Sequence, residues 1–369
     1  MKKLRILCLA VSLTLAVFAG IAPATSQQSA PLKQTPAEGE ILDLPELVAR
    51  VKPSVVRILT YDAQGQPAGQ GSGFFIAEDR IVTNRHVIQG ANRAELRLAS
   101  GATIDTAGVL ADDEGHDLVL LQVDRTTNGI ALTIKPLRLA DTIPKEGERI
   151  AVIGSPRGFE HTVSEGIVSA VRKIPGFGAI IQMTAAISPG SSGSPVFNMR
   201  GEVIAVARSI MVDAQSLNFA VAIEHVAAMQ AGKLRHLSGP DRQATEGSDE
   251  AREEFARGVA AYLANDFQEA LVHFRRVVEI KPDDAVALSI LGVVCRKLGR
   301  WQDAIDALRR AIRIKPDDAE AHYNLGVAYG SLSRFQQEIA AYKQAIRLKP
   351  DYDEAHFALS LIYLLVGDK

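Results

Sequence analysis

The stretch GSGFFIAEDRIVTNRHVI, residues 71–88, contains two strand-length apolar runs joined by a short polar turn. GFFIA (73–77) and RIVTN (80–84) are rich in aromatic and β-branched residues, which favour strands. Similar runs, separated by Gly, Asp, Asn and Pro, continue on both sides: SVVRILTY (54–61), DLVLLQV (117–123), RIAVIG (149–154), GIVSAV (166–171) and EVIAVARSI (202–210). Their spacing favours an all-β fold over βαβ units, which would need helical stretches between the strands. We therefore predict an all-β barrel or sandwich over residues 44–235.

Beyond residue 250 the strands stop and a repeat with a fixed step of 34 residues begins. Lys-Pro-Asp recurs at 281–283, 315–317 and 349–351, and a glycine recurs at 258, 292 and 326. This pattern resembles tetratricopeptide repeats, helix pairs that stack into an array with a concave face for peptides or partner proteins. We predict an all-α solenoid over residues 251–369, with three repeats and a capping helix from Asp353 to Leu365. A polar linker at 236–250 precedes it.

The N-terminus has the pattern of a secretory signal. Lys2, Lys3 and Arg5 precede an apolar run from Ile6, and Ala22-Pro23-Ala24 supplies small residues for cleavage. We predict a signal peptide over 1–24 and a flexible, polar lead-in over 25–43. An uncleaved membrane anchor is the alternative, because the 17-residue run from 6 to 22 reaches the lower limit for spanning a bilayer.

Composition narrows the class of protein further. Hydrophobic residues make up 47% of the 369 residues and charged residues 23%, which excludes a disordered chain and a protein with many membrane spans. The net charge of −2 becomes −5 after removal of 1–24, so we expect no nucleic-acid partner. Cleavage also removes Cys8 and leaves Cys295 without a disulfide partner, which favours the bacterial periplasm for an exported protein. Secretion, or anchoring to the inner membrane, is the alternative.

Three short stretches carry residues suited to nucleophilic catalysis. His86 follows the strand RIVTN, Asp117 begins the strand DLVLLQV, and Ser192 lies in ISPGSSGSP (187–195). A serine hydroxyl needs a base to take its proton, and a histidine base needs a carboxylate to hold its tautomer. Glycines around the serine let backbone N–H groups converge on one point and form an oxyanion hole. The order His, Asp, Ser along the chain is that of the chymotrypsin-type triad.

Each candidate has competitors of its own residue type: His116 and His161, Asp112 and Asp113, and Ser191 and Ser194. Asp117 is favoured because it leads directly into an apolar strand that would bury its carboxylate. Ser192 is favoured because it keeps a Gly-x-Ser-Gly frame. No His, Cys or Asp cluster has the spacing of metal ligands, so we expect neither a metal nor a cofactor.

Together with GSPRGFEHTVSEGIVSAV (154–171), IQMTAAISPGSSGSPVFN (181–198) and LNFAVAIEHV (217–226), these stretches resemble the trypsin-like serine proteases of the HtrA/Deg group. The resemblance covers about 44–230 and implies a two-barrel, chymotrypsin-like fold. It implies an endopeptidase that cleaves unfolded or damaged exported proteins. By position, His86 is the general base, Asp117 orients it, and Ser192 is the nucleophile. The N–H groups of Gly190 and Ser192 would line the oxyanion hole.

The resemblance also indicates where the specificity pocket lies. Its candidate lining residues are Ile187, Ala207 and Met211, which offer no carboxylate to a basic side chain. We expect small or medium aliphatic residues before the scissile bond, unless Arg208 points into the pocket. Ser191 stands where many digestive proteases carry an Asp that binds a newly freed N-terminus, so the sequence does not support activation by cleavage of the N-terminus. Ser194 stands where a second glycine is common.

The architecture differs from most of the HtrA group, because the repeats occupy the place of a PDZ domain. We expect the repeat groove to recruit a polypeptide substrate or a partner protein. Residues 25–60 lack the aromatic residues that hold family trimers together, so the oligomeric state stays open. The alternative function is a catalytically silent envelope adaptor or chaperone that acts through its repeats, and membrane contact is expected only if the N-terminal segment is retained.

Overall fold

The computed structural model describes residues 40–124, 126–127, 130–131, 133–155, 162–174, 176–188, 190–212, 215–237 and 242–367. The predicted signal peptide and most of the predicted lead-in lie outside these residues. Leu42, which was predicted to belong to a flexible segment, is buried, and its N–H donates to the carbonyl of Met199 at 2.7 Å. Within the described ranges, no helix combines the length and the apolar character needed to cross a bilayer.

The β region opens with helix α1 (Leu44–Val51), capped by the Asp43 carboxylate, and a single 3₁₀ turn (Lys52–Ser54). The strands of its first half are β1 (Val55–Tyr61), β2 (Pro67–Ala77), β3 (Arg80–Asn84), β4 (Arg93–Arg97), β5 (Thr103–Asp113), β6 (Leu118–Val123), β7 (Thr126–Thr127) and β8 (Ile130–Ala131), with the short helix α2 (Arg85–Ile88) after β3. Its second half contains β9 (Arg138–Leu139), β10 (Arg149–Gly154), β11 (Thr162–Ile174), β12 (Gly178–Met183), β13 (Pro195–Asn198), β14 (Glu202–Val212), β15 (Gln215–Ala222) and α3 (Ile223–Ala228).

Six antiparallel strands close the first barrel in the order β1-β2-β3-β6-β5-β4. Strand β6 shows why its sequence is an uninterrupted apolar run. Val119 and Leu121 belong to the interior of this barrel, whereas Leu118 and Leu120 belong to the larger core that continues into the second barrel and the repeats. Because β6 is buried on both faces, it has no polar face to alternate with.

A second sheet runs in the order β13-β10-β11-β12-β15-β14, and the pairing of β13 with β14 closes it into a barrel. Strand β9 adds to β14 in parallel. Strand β14 is buried through Val203–Ala207, so its sequence is also apolar without alternation. The predicted all-β, two-barrel, chymotrypsin-like fold is confirmed.

The C-terminal part is an array of antiparallel helix pairs, as the repeat predicted. Its helices are α4 (Arg242–Leu263), α5 (Phe267–Ile280), α6 (Ala285–Lys297), α7 (Trp301–Ile314), α8 (Ala319–Ser331), α9 (Phe335–Leu348) and α10 (Asp353–Val366). Gly292 explains the repeated glycine, because a Cβ at this position would lie 2.5 Å from Cγ of Leu308 in the next helix. Only glycine allows the two helices of a repeat to approach this closely.

The predicted linker over 236–250 is shorter in the structure, because α4 already begins at Arg242. The segment RQATEGSDE contains no proline and is compatible with a helix. It carries few apolar residues, and a segment of this composition is taken for a linker when judged by polarity alone.

The array packs directly against the β region. The first helices of the three repeats, α4, α6 and α8, form a surface that we call the first-helix face. The turn between β11 and β12 crosses this face: the N–H of Gly176 donates to the Glu320 carboxylate of α8 at 3.1 Å. The ring of Phe177 packs against Phe255 of α4, with 5.7 Å between the ring centroids. The protease-like part therefore covers a portion of the surface that was predicted to receive partners.

Candidate active site

Strand pairing brings His86 and Asp117 together. Because Asn84 of β3 pairs with Leu118 of β6, the residues just after β3 and just before β6 become neighbours. Nδ1 of His86 lies 2.6 Å from Oδ2 of Asp117, and the backbone N–H of His86 donates to Oδ1 at 3.0 Å. Both carboxylate oxygens are thus bound to the same histidine.

The backbone of Asp117 is held in an uncommon conformation. Its φ of +57° lies in the left-handed region, which costs energy for a residue with a side chain. The surrounding structure compensates, since the Asp117 carbonyl accepts hydrogen bonds from the N–H of Arg85 at 2.9 Å and the side-chain amide of Asn84 at 3.0 Å. These bonds tie the turn that carries Asp117 to the start of α2, the helix that carries His86.

The Asp117 carboxyl is fully ionised at neutral pH. Its burial favours the neutral acid, but the charge and hydrogen bonds of His86 and the charge of Arg208 outweigh this effect and lower the pKa of Asp117 to about 2. The group therefore accepts hydrogen bonds and provides negative charge without taking up a proton.

Ser192 lies in the loop between β12 and β13 and is 7% exposed. Two elements of the fold hold this loop. The backbone of Ala207 in β14 accepts from the N–H of Gly193 at 3.1 Å and donates to the carbonyl of Ser194 at 2.8 Å. The carbonyl of Ser192 itself accepts from the N–H of Ser72 in β2 at 2.8 Å.

Gly193 explains the glycine that follows the candidate nucleophile. Its φ of +83° favours glycine, and a Cβ there would clash with the carbonyl oxygen of Ser72 and the side chain of Thr83. The loop therefore lies directly against the strands that lead to His86. Among the described residues, the Ser192 hydroxyl and His86 share no hydrogen bond, and such contacts often form only when substrate binds.

The backbone N–H groups in the loop fall into two sets. Those of Ser191, Gly193 and Ser194 donate to carbonyl oxygens of the protein. Those of Gly190 and Ser192 donate to no acceptor in the part of the chain that the structure describes. Two N–H groups left free beside a serine can donate to an oxygen that becomes negative during a reaction.

Ser72 plays a part that sequence reasoning missed. Its hydroxyl donates to the carbonyl of Gly190 at 2.9 Å and accepts from the N–H of Ser155 at 2.9 Å. These bonds fix the peptide that follows Gly190. The stretch GSGFF gives no local sign of this role, because the contact spans 118 residues of sequence.

The competitors that the structure describes have other partners. Asp112 accepts from Nε of Arg85 at 2.9 Å. His116 is engaged with Asp113 at 2.7 Å through Nδ1 and with the carbonyl of Phe177 at 2.7 Å through Nε2. Among the described residues, neither Asp112 nor Asp113 forms a hydrogen bond or an ion pair with His86.

The two competing serines are both buried within the loop. The hydroxyl of Ser191 accepts from the N–H of Ser188 at 3.4 Å, and that of Ser194 has no partner among the described residues. His161 lies outside the described residues.

The candidates for the specificity pocket differ in their surroundings. Ile187 lines a cavity of about 240 Å³ together with Val152, Val163 and Ser191. Ala207 is fully buried in the core of the second barrel and contacts the loop through its backbone. The side chain of Met211 lies outside the described residues. Arg208 contacts Asp117 and is not among the residues that line the cavity at Ile187.

Sequence reasoning did not identify Arg208 as a neighbour of the triad. Nε of Arg208 lies 3.5 Å from Oδ2 of Asp117, and Phe255 of the first repeat helix covers its guanidinium. A signal was present, since an arginine inside the apolar strand EVIAVARSI requires a buried anion as partner. Among the described residues, no group of three or more His, Cys, Asp or Glu side chains is arranged to hold a metal ion.

Comparisons with known proteins agree with this division of the chain. Residues 71–206 match the family described as trypsin-like peptidase domain. Residues 292–333 match a TPR repeat family, and residues 319–352 match the tetratricopeptide repeat family. The chain thus combines a trypsin-like peptidase domain, with homologues among the HtrA and DegP proteins, and C-terminal tetratricopeptide repeats.

The peptidase part has many curated relatives. "Probable periplasmic serine endoprotease DegP-like" of Pseudomonas savastanoi pv. phaseolicola is 38% identical over 170 residues, which cover 44% of this chain and 34% of the relative. "Protease Do-like 1, chloroplastic" of Arabidopsis thaliana is 33% identical over 227 residues, which cover 56% of this chain and 50% of the relative. The chain thus spans a third to a half of the length of these relatives.

Among solved structures, the serine endoprotease from Yersinia pestis is 24% identical, with a TM-score of 0.44. That match covers 49% of this chain and 62% of the other.

Proposed function

We propose that this combination of a trypsin-like peptidase domain and tetratricopeptide repeats is a serine endopeptidase, which hydrolyses peptide bonds in unfolded or damaged exported proteins. The observation that carries the proposal is the 2.6 Å contact between His86 and Asp117. It lies beside a serine loop in which the N–H groups of Gly190 and Ser192 have no acceptor among the described residues. The names of the relatives, which are endoproteases or proteases, support the same reaction.

In the proposed reaction, Nε2 of His86 takes the proton of the Ser192 hydroxyl while its oxygen attacks the substrate carbonyl carbon. The carbonyl oxygen becomes negative and accepts hydrogen bonds from the N–H groups of Gly190 and Ser192. His86 then gives the proton to the departing amine, which leaves an acyl-enzyme. Water, activated by the same histidine, attacks the ester and restores Ser192.

Asp117 supports both halves of this cycle. Because its pKa of about 2 keeps it ionised, it holds Nδ1–H of His86 and leaves Nε2 free to accept the serine proton. Its negative charge also stabilises the imidazolium that forms after the transfer.

Specificity and recruitment are assigned to separate surfaces in this proposal. The cavity at Ile187 is lined by aliphatic and hydroxyl side chains and by no charged group, and it suits a small or medium aliphatic side chain before the scissile bond. The repeats bind a polypeptide substrate or partner at a part of the first-helix face away from Phe177. The half-exposed side chains of Tyr262, Arg296 and Tyr323 offer aromatic and cationic contacts for it. Nε of Arg296 is itself buried and has no hydrogen-bond partner among the described residues.

The proposed location is outside the cytoplasm, in a bacterial periplasm. The basic and apolar N-terminal segment supports export, and the relative from Pseudomonas savastanoi is named as a periplasmic endoprotease.

A fluorophosphonate probe tests the proposed function, because it reacts with a serine only when a base and an oxyanion hole activate it. We expect the wild-type protein to be labelled in the presence of an unfolded protein and Ser192→Ala to remain unlabelled. Ser169→Ala is the matched control, since Ser169 is an exposed serine of β11, and it should label like the wild type. If folded wild-type protein never labels, the protein acts as a silent adaptor or chaperone and the proposal is wrong.

A further inference from the structure

A buried arginine lies next to the candidate catalytic acid. The side chains of Arg208 and Asp117 are each only 8% exposed. Nε of Arg208 lies 3.5 Å from Oδ2 of Asp117, the same oxygen that accepts Nδ1–H of His86. Burial lowers the pKa of Arg208, and the charge of Asp117 opposes that effect. Burying a guanidinium costs free energy unless it is paired. The position of Arg208 therefore requires a physical explanation.

The carboxylate needs a support other than its histidine. In the part of the chain that the structure describes, both hydrogen bonds to the Asp117 carboxylate come from His86, on the short helix α2. Among the described residues, Arg208 supplies the other cationic nitrogen within 4 Å of that carboxylate. Arg208 follows Ala207, whose backbone holds the loop of Ser192. Two consecutive residues of β14 therefore connect the candidate nucleophile loop to the candidate acid.

The repeat array covers this ion pair. The ring centroid of Phe255, in α4, lies 5.6 Å from the guanidinium carbon of Arg208. Phe255 is 6% exposed and packs against Phe177 of the second barrel and Phe274 of α5. The ring shields one side of the pair from solvent and so reduces the screening of the charges on that side.

Further charged groups around the pair come from several elements. Arg252 and Asp284, from the repeats, act on the charge of Arg208. The small cavity beside Asp117 and Arg208 is also lined by Arg85, Glu114 and Lys281.

We propose that Arg208 is a positioning residue, which fixes the Asp117 carboxylate relative to His86 and Ser192, and that Phe255 makes the first repeat helix a working part of the active site. This inference rests on the proposed protease function. It gives the repeats a role besides recruitment, since any displacement of α4 would open the Arg208–Asp117 pair to water.

Steady-state hydrolysis of an unfolded protein tests the role in catalysis. Arg208→Met keeps the length of the side chain but removes its charge, and we expect kcat to fall by about tenfold or more with KM within a factor of two. Arg208→Lys keeps the charge and should recover most of the rate. Phe255→Ala should lower kcat in the same way, because it uncovers the guanidinium of Arg208.

Two matched controls separate this effect from general damage. Arg149→Met removes an exposed arginine of the same barrel that is paired with Glu165. Phe357→Ala removes an aromatic residue of the array that is 73% exposed. Both should leave kcat unchanged. Circular dichroism verifies the fold of every variant, and if Arg208→Met is unfolded, Phe255→Ala carries the test.

A second readout does not depend on proteolysis. In Ser192→Ala, the short hydrogen bond from Nδ1 of His86 should protect its proton from water and give a separate downfield proton NMR signal. We expect rapid exchange to remove this signal in the double variants with Arg208→Met or Phe255→Ala. The signal should persist with Arg208→Lys, Arg149→Met or Phe357→Ala.

The outcomes distinguish this inference from the proposed function. If Arg208→Met or Phe255→Ala is folded and keeps both kcat and the signal, the positioning role is overturned. If the wild type hydrolyses nothing while the signal still depends on Arg208 and Phe255, the positioning role stands and the protease function fails. If KM rises while kcat is unchanged, Arg208 affects substrate binding and the inference is wrong.

Discussion

Acidification should destabilise the folded protein through His225, a histidine of α3. The ring of His225 stacks on His116 with 3.8 Å between centroids and lies 6.2 Å from the ring of Phe177. Its Nε2 is buried without a hydrogen-bond partner among the described residues, although the Glu224 carboxylate lies 3.8 Å away. Burial, and then the charges of His116 and Lys315, lower the pKa of His225 to about 3, against a raising effect of Asp113.

The sign and size of the effect follow from linkage. A histidine with a pKa of about 3 in the folded state and 6.5 in the unfolded state stays neutral in the fold at pH 5. The unfolded chain takes up the proton, so stability present above pH 6.5 is lost progressively as the pH falls towards 3. Between pH 7 and pH 5 the free energy of unfolding should drop by about 2 kcal/mol from this one group.

Urea unfolding at pH 7 and pH 5 measures the effect. Compared with the wild type, His225→Gln should lose about 2 kcal/mol less between the two pH values, because it has no proton to gain. His236→Gln removes an exposed histidine and should retain the wild-type pH dependence. If His225→Gln and the wild type lose the same free energy, the account of a neutral, buried His225 is refuted.

Phe177→Ala should cost about 3–5 kcal/mol in urea unfolding, since this ring is 1% exposed between the barrel and the repeats; Phe357→Ala should stay within about 0.5 kcal/mol, and equal losses would contradict the packing described. Gly292→Ala should lower stability by about 1–3 kcal/mol because of its 2.5 Å clash. Gly247→Ala, where a Cβ has 3.5 Å of space, should be neutral or stabilising, and the reverse order would be inconsistent with the repeat packing. Asp117→Asn should reduce kcat by about four orders of magnitude with the fold intact, because an amide favours the wrong His86 tautomer; an active variant would argue against the role of this acid.

The local pattern of apolar residues was sufficient to predict the strands that are buried on both faces and the helices that repeat one contact. Strands β6 and β14 are buried on both faces, and their unbroken apolar runs could be recognised directly. The helix pairs could be recognised because the same close contact, such as that of Gly292 with Leu308, returns every 34 residues. Strand β4 was missed because RAELR buries only Ala94 and Leu96 and otherwise reads as a charged loop.

The contacts between distant segments could not be predicted in this way. His86 and Asp117 were suggested by their flanking strands, because strand pairing brings the ends of neighbouring strands together. Phe255 packs over Arg208, although the two residues belong to different domains. The sequence around either residue gives no indication that it contacts the other. The same limit concealed the turn at Gly176, which covers part of the surface that was predicted to be a free groove.

The central claim is that Ser192, His86 and Asp117 together hydrolyse peptide bonds. The most direct measurement is the rate at which this 369-residue chain cleaves an unfolded protein, with the products identified by mass spectrometry. The account predicts defined internal cleavages after small or medium aliphatic residues by the wild type, and none by Ser192→Ala or His86→Gln at equal concentration. Cleavage that continues in Ser192→Ala, or folded wild-type protein that cleaves nothing, would contradict it.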